Sequence, residues 1–185
     1  LQNSPFVLNG ITGHRDCIID GMLVDVKSAS PFSFAKFKGG LQYKDDAFGY
    51  LTQLGSYLLA SQEDDRLTCK DRAAFLVMDK VSGQLHLDYH TFTQEDFYDL
   101  EETVNSRIQI LSDPSTVPTK GFHPIDQNKP NAKGWVNGNK KLGVNCSYCP
   151  FKQHCWPEMR TFLYSNKPVF LTTVVKEPKV YEVPK

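Results

Sequence analysis

The sequence predicts a mixed α/β domain, on three observations. Runs such as Met22-Leu23-Val24-Asp25-Val26-Lys27 alternate with period two, as strands do. Hairpin-forming residues separate several of these runs, and two longer stretches carry apolar residues at helical spacing. At 185 residues, 40% hydrophobic and 23% charged, the chain is long enough to bury a sizeable core. No apolar run approaches the ~20 residues needed to span a bilayer, and no signal-peptide pattern opens the chain. Membrane spanning is excluded on that basis and an intracellular, cytoplasmic setting is expected. The formal net charge is zero, so contact with nucleic acid has to come from local basic patches. The chain opens on Leu1 and its charged motif begins a dozen residues in, so a fragment or processed product lacking an upstream element is expected.

Taken in order, residues 6–11 and 13–19 read as strands, the second joined through Asp20-Gly21 to a partner over 22–29. Pro31 ends the extended run. Residues 32–43, with Ser33, Lys36, Lys38 and Gly39-Gly40 set among Phe32, Phe34, Phe37 and Tyr43, read as a loop or short helix near the substrate. Basic and aromatic residues together suit a phosphate backbone with stacked bases. From about Asp45 to Ser61 the pattern is helical: Phe48, Leu51, Leu54, Leu58 and Leu59 form an apolar stripe, and Tyr50, Gln53 and Tyr57 align on another side. Residues 73–79 and 84–89 flank Val81-Ser82-Gly83 as a second hairpin, in which His86 and His90 read as structural. Thr93 caps a helix running to about Leu111, its apolar face built on Phe97, Leu100, Val104 and Ile108. Residues 112–143 shift to Pro, Gly, Asn and Lys and read as a long, functional or mobile connection. Lys120, Lys129, Lys133, Lys140 and Lys141 in it offer a basic rim for DNA. Beyond a cysteine module, residues 169–183 are β-prone, split by Pro178, and suit either an edge strand or a tail lying along the surface. This gives a core over 1–143 and a cysteine module with tail over 144–185, together one compact unit.

The chemistry concentrates at the first of these hairpins. A two-residue turn at Asp20-Gly21 sets Ile19 against Met22, Ile18 against Leu23, Cys17 against Val24 and Asp16 against Asp25. Continued further, it sets Arg15 against Val26 and His14 against Lys27. Facing residues on an antiparallel pair lie about 4.5–5.5 Å apart at Cβ, where like charges repel. Two facing carboxylates call for a cation. With a main-chain carbonyl such as that of Val26 they suit a hard divalent ion, Mg²⁺ or Mn²⁺, which acidifies a bound water and offsets phosphoryl charge. Lys27 on the same face as Asp25 would orient that water or stabilise the transition state. Gln53 and Tyr57 would bond a phosphate or the acids, and His14 is a further candidate beside Lys27.

Cys146-x2-Cys149-x5-Cys155 has the spacing of metal ligands in a chain with no secretion signal. Three thiolates are one ligand short of a tetrahedral zinc site or a cubane cluster. His154, Cys69, Cys17 or a cysteine from an upstream segment would complete the set.

Gly13-x-x-Asp16, Asp25-Val26-Lys27 and Gln53-x3-Tyr57, in this order, resemble the PD-(D/E)XK nuclease superfamily, and the helix-borne Gln-x3-Tyr its RecB-like and phage exonuclease branch. The resemblance implies a restriction-endonuclease-like core: a mixed central sheet flanked by helices. It implies that Asp16, Asp25 and the Val26 carbonyl bind Mg²⁺ or Mn²⁺, that Lys27 positions the attacking water, and that Gln53 and Tyr57 hold the phosphate or orient Lys27. It further implies a [4Fe–4S] centre on Cys146, Cys149 and Cys155 with one upstream cysteine, zinc being the alternative. The implied activity is exonucleolytic hydrolysis of DNA in phage or recombination processing, in the host cytoplasm if virus-encoded, with a homo-oligomer or recombination protein as partner. The family's upstream helix with a metal-touching His or Glu has no counterpart before Gly13. The alternative is a non-catalytic nucleic-acid-binding or assembly subunit with a structural zinc.

Overall fold

Two tight turns shape the start of the chain in the computed structural model, which describes residues 4–115, 120–165 and 167–184. Asn9 and Gly10, at φ 49° and 85°, fold β1 (Ser4–Leu8) onto β2 (Ile11–Arg15). Asp20 and Gly21, at 49° and 75°, fold β3 (Cys17–Ile19) onto β4 (Met22–Ala29). Positive φ at both central residues marks the type I′ turn, whose twist matches its flanking strands. Gly21 is required twice over, because a Cβ there would also lie 1.9 Å from Thr68 Oγ1. Its carbonyl accepts the amides of Thr68 and Cys69, each at 2.9 Å.

The second ribbon has the predicted register, Ile19 facing Met22, Ile18 facing Leu23 and Cys17 facing Val24. It stops there. Arg15 and His14 do not continue opposite Val26 and Lys27; they belong to β2, paired with Ser4 and Pro5. Asn9-Gly10 is itself a hairpin dipeptide, so the chain turns back within 6–11, where a single strand is expected from sequence. His14 is consequently exposed on the first ribbon.

β4 runs parallel to β5 (Arg72–Asp79), and β5 antiparallel to β6 (Leu85–Thr91), so β3-β4-β5-β6 is a mixed sheet. The β4–β5 crossover carries α1 (Pro31–Lys38) and α2 (Tyr50–Leu59). Pro31 begins a helix as well as ending a strand: Ser30 caps it by accepting from the Ser33 amide, and proline in the first turn forfeits no intrahelical bond. α2 starts at Tyr50, later than the expected Asp45, because Asp46 instead takes the amides of Phe48 and Leu51. α3 (Gln94–Ser112) opens, as predicted, on Thr93, which forms a reciprocal capping box with Asp96.

Strand alternation puts Leu23, Asp25 and Lys27 on the helix-covered face, beside Ala73, Phe75 and Val77 of β5. Phe34 and Phe37 of α1, Leu51, Leu54 and Leu58 of α2, and Phe97 and Leu100 of α3 close over them. Leu23, Leu54, Leu58 and Phe75 are fully buried, each contributing about 2 kcal/mol relative to exposure. The opposite face leaves Val26, Met78, Leu85, Leu87 and Tyr89 exposed. Buried Arg15 binds Ser61 Oγ at 2.7 Å and the Asp64 carboxylate, tying the first ribbon to the end of α2. Arg66 and Arg15 together hold the Asp64 carboxyl far below the usual range.

Contacts divide the chain into Leu1–Val117 and Pro118–Lys185, so the run 118–143, read from sequence as part of the core, lies in the second unit. It is also more ordered than its composition suggested. β7 (Ile125–Asp126) and β8 (Lys140–Lys141) pair into an antiparallel sheet with β9 (Arg160–Tyr164), β10 (Lys167–Thr173) and β11 (Tyr181–Val183), in the order β11-β9-β10-β8-β7. β11 is an edge strand, as read. Met159, Phe162, Leu142 and Leu171 form a small core. Asn139, 1% exposed, replaces the missing hydrophobic mass. Its amide donates to Gln127 Oε1 (2.8 Å) and the Lys176 carbonyl (2.7 Å) and accepts from the amides of Val175 (2.7 Å) and Lys176 (2.8 Å), so every bonding capacity is filled. Among the described residues no helix is long and apolar enough to cross a membrane.

Asn139→Ala removes four hydrogen bonds at once, and is expected to destabilise the second unit by about 3 kcal/mol in denaturant titration. Lys129→Ala, at an exposed residue, is the control.

Candidate active site

Asp16 lies just past the end of the β3–β4 ladder, where its carboxylate replaces a backbone acceptor: Oδ2 takes the Val26 amide at 2.8 Å. The acids therefore meet through a side chain bonded to backbone, not through the direct strand pairing expected from the turn. Asp25, 4% exposed, projects to the helix-covered face. Lys27, two residues on, projects the same way and sets Nζ 2.7 Å from Asp25 Oδ2. That oxygen is buried and has no aligned hydrogen bond, the contact being ionic only.

α2 completes the arrangement. Residues 50, 53 and 57 share a side of the helix, and all three side chains are used. Tyr50 puts its ring 4.8 Å from Lys27 Nζ, Gln53 Oε1 accepts from Nζ at 3.0 Å, and Gln53 Nε2 donates to Tyr57 Oη at 2.8 Å. The five predicted catalytic residues thus form one continuous polar chain, Asp16, Asp25, Lys27, Gln53 and Tyr57. Val26, between the two charged residues of β4, has its amide on Asp16 and its side chain 47% exposed.

Sequence reasoning missed two supports. Tyr50 was placed on the right face and given no role. Phe6 pairs with Gly13 across the first ribbon and lies over it; a Cβ on Gly13 would come within 2.3 Å of the ring. The same ring meets Tyr57 edge-on, with centroids 4.9 Å apart. The glycine of Gly13-x-x-Asp16 therefore makes room for the aromatic that backs Tyr57, and Asn9-Gly10 was the available signal. Phe6, Gln53 and Tyr57, with Phe48 and Arg107, line a cleft of about 390 Å³.

Burial pushes the Asp25 carboxyl up, contact with the Lys27 ammonium pulls it down, and the charge and hydrogen bond of Asp16 push it up again; the net effect is a raised pKa. Asp88 and His90 share the sheet face with Asp25 across Phe75. Two strand spacings put them about 10 Å away, too far to share an ion. Asp88 instead accepts the Leu41 amide at 3.0 Å, and His90 packs against Phe75, consistent with structural roles.

In the second unit Cys146 lies in α4 (Val144–Ser147), Cys149 in the following loop and Cys155 at the end of α5 (Lys152–Cys155). All are free thiols. Burial, and then the neighbouring Cys149 and Cys155, push the Cys146 thiol up. Among the described residues no three or more of His, Cys, Asp and Glu are gathered as a metal-binding group. Of the suggested fourth ligands, Cys17 is buried in the first unit, its thiol on the Val24 carbonyl at 3.3 Å, and Cys69 is half-buried in that unit. His154 is exposed on α5. Compared with protein-family models, curated proteins and solved structures, the chain matches none.

A raised carboxyl pKa means that the folded state holds the Asp25 proton more tightly than the unfolded state does. Its contribution to stability is full below the unfolded pKa, near 3.9, and is lost as pH rises through the folded one. In chelator, the melting temperature of the wild type relative to Asp25→Asn is expected to fall over that window. A pH-independent difference between the two would contradict the assignment.

Proposed function

We propose that the chain is a metal-dependent deoxyribonuclease with a restriction-endonuclease-like core, an exonuclease of the RecB-like PD-(D/E)XK type acting in phage or recombination DNA processing. The observation that carries this reading is the pairing of buried Asp25 with half-buried Asp16, joined through Lys27 to Gln53 and Tyr57. Two carboxylates brought together carry more negative charge than the one Lys27 ammonium on Asp25 offsets, and carboxylates are the donors Mg²⁺ and Mn²⁺ favour. The residues present therefore fit a divalent ion, which Asp16, Asp25 and the Val26 carbonyl would hold. Bound there, it supplies an acidified water and offsets charge on a phosphoryl oxygen.

The chain's own groups account for the remaining tasks. Lys27, 20% exposed at its side chain and gripped by Asp25 and Gln53, keeps a donor directed to the reaction centre and offsets charge developing on the phosphate. Gln53 fixes the lysine through its carbonyl oxygen and Tyr57 through its amide, so the hydroxyl of Tyr57 is oriented and its proton is available to a phosphate oxygen. The mixed sheet supports the reading by carrying Asp25 and Lys27 on rigid strand backbone, with Asp16 tied to that strand through the Val26 amide. Cys146, Cys149 and Cys155 are proposed ligands of a [4Fe–4S] cluster, or of zinc, with a fourth ligand. Iron and sulfide analysis after anaerobic purification separates the two.

With end-labelled DNA and Mg²⁺ or Mn²⁺, Lys27→Ala and Asp25→Ala are each expected to lose at least ~100-fold in cleavage rate. Either variant at full activity defeats the site. Mg²⁺ is also expected to raise the melting temperature of the wild type but not of Asp25→Ala.

A further inference from the structure

The zero net charge of the chain conceals a strong segregation. Residues 1–117 hold 10 Lys and Arg against 17 Asp and Glu, a net −7. Residues 118–185 hold 11 against 4, a net +7. Three of the second unit's four acids are held by only two of its cations. Asp126 is taken by Lys140, and Glu177 and Glu182 both by Arg160. Lys120, Lys129, Lys133, Lys167, Lys176 and Lys179 are exposed and make no ion pair among the described residues. Large aromatic side chains stand exposed in the same unit: Phe122 and Trp135 at 53%, Phe151 at 70%. Lys120 lies over the Trp156 ring at 3.9 Å and Lys176 over Trp135 at 5.5 Å, so cations and ring faces are interleaved.

Unpaired surface lysines on a net +7 unit attract a polyanion, and exposed rings give unpaired bases a stacking surface worth about 1–3 kcal/mol each. We propose that the second unit is a binding module for single-stranded nucleic acid. This rests on the nuclease reading for the identity of the polyanion, and it resolves a difficulty in that reading. The unit that carries the acids is itself net negative and repels the substrate backbone. Capture therefore falls to the basic unit, which raises the effective concentration of strand for the acids on the same chain. Duplex DNA, its bases stacked internally, offers the charge but not the ring faces.

The test measures anisotropy of a labelled oligothymidine and a duplex of equal length, using the full chain in chelator so that no turnover occurs. Wild type is expected to prefer the single strand, with log affinity falling linearly in log salt at about 0.7 per phosphate neutralised. The triple variant Lys129→Glu, Lys133→Glu, Lys179→Glu is expected to bind at least 10-fold more weakly with a shallower slope, and Phe151→Ala to lose single-strand preference. Lys80→Gln, at an exposed lysine of the first unit, is expected to bind as wild type does. Should the triple variant fail to fold by circular dichroism, the corresponding Lys→Gln variant is to lose affinity in the same direction. Undiminished binding by the folded variant overturns the inference, as does wild-type binding to phosphatidylserine vesicles without binding to oligonucleotide. A wild type that binds strand in this way but cleaves with no divalent ion defeats the nuclease reading and leaves the inference standing.

Discussion

The interaction on which the first unit turns is the ion pair of Asp25 with Lys27, set into an otherwise apolar sheet face. Phe75 lies beside Asp25 on the neighbouring strand and Leu23 two residues before it, both fully buried. An unpartnered carboxylate there would take up a proton rather than remain charged. Lys27 keeps the charge tenable, and is itself held by the Gln53 carbonyl oxygen and the Tyr50 ring. The position of α2 follows from the same need, since its apolar side fills the core while Tyr50, Gln53 and Tyr57 meet the lysine. Disturbing any member loosens the contacts of the next, so these residues form one connected network.

Much of this was legible in the sequence, and the reasons are local. A dipeptide that tolerates positive φ fixes register without help from elsewhere, so Ile19, Ile18 and Cys17 found their partners correctly. Period-two alternation put Asp25 and Lys27 on one face, and helical spacing aligned Tyr50, Gln53 and Tyr57. The failures are equally physical. Extrapolating the ladder past Cys17 ignored that Asp16 satisfies the Val26 amide with its side chain, freeing the chain to leave the sheet. His14 was lost for that reason. Arg15 became a buried clamp on Ser61 and Asp64, partners 46 and 49 residues distant, which no local pattern signals.

Composition misled most strongly in the second unit. A run rich in Asn, Gly, Pro and Lys looks unable to fold because it offers little apolar surface. Here one buried amide, Asn139, ties the run to itself through Gln127 and to Val175 and Lys176 beyond it, through bonds that sequence periodicity does not encode. A small core can tolerate polar interior residues when every donor and acceptor is matched. The surface is then left to lysines and aromatic rings, and the two units emerge with opposite charge and different architectures, one mixed and helix-covered, the other antiparallel.

The packing of Phe6 over Gly13 and edge-on to Tyr57 gives the glycine at position 13 a steric purpose. Position 13 is a clearance, not a reagent: it never meets the acids or the lysine, and its contribution is the volume it leaves empty. An alanine there would push the ring aside and withdraw the wall behind Tyr57, detuning the far end of the relay while leaving every ionisable group intact. Recognition by such a motif is thus partly recognition of an absence, and two chains sharing it share a steric allowance before they share any chemistry.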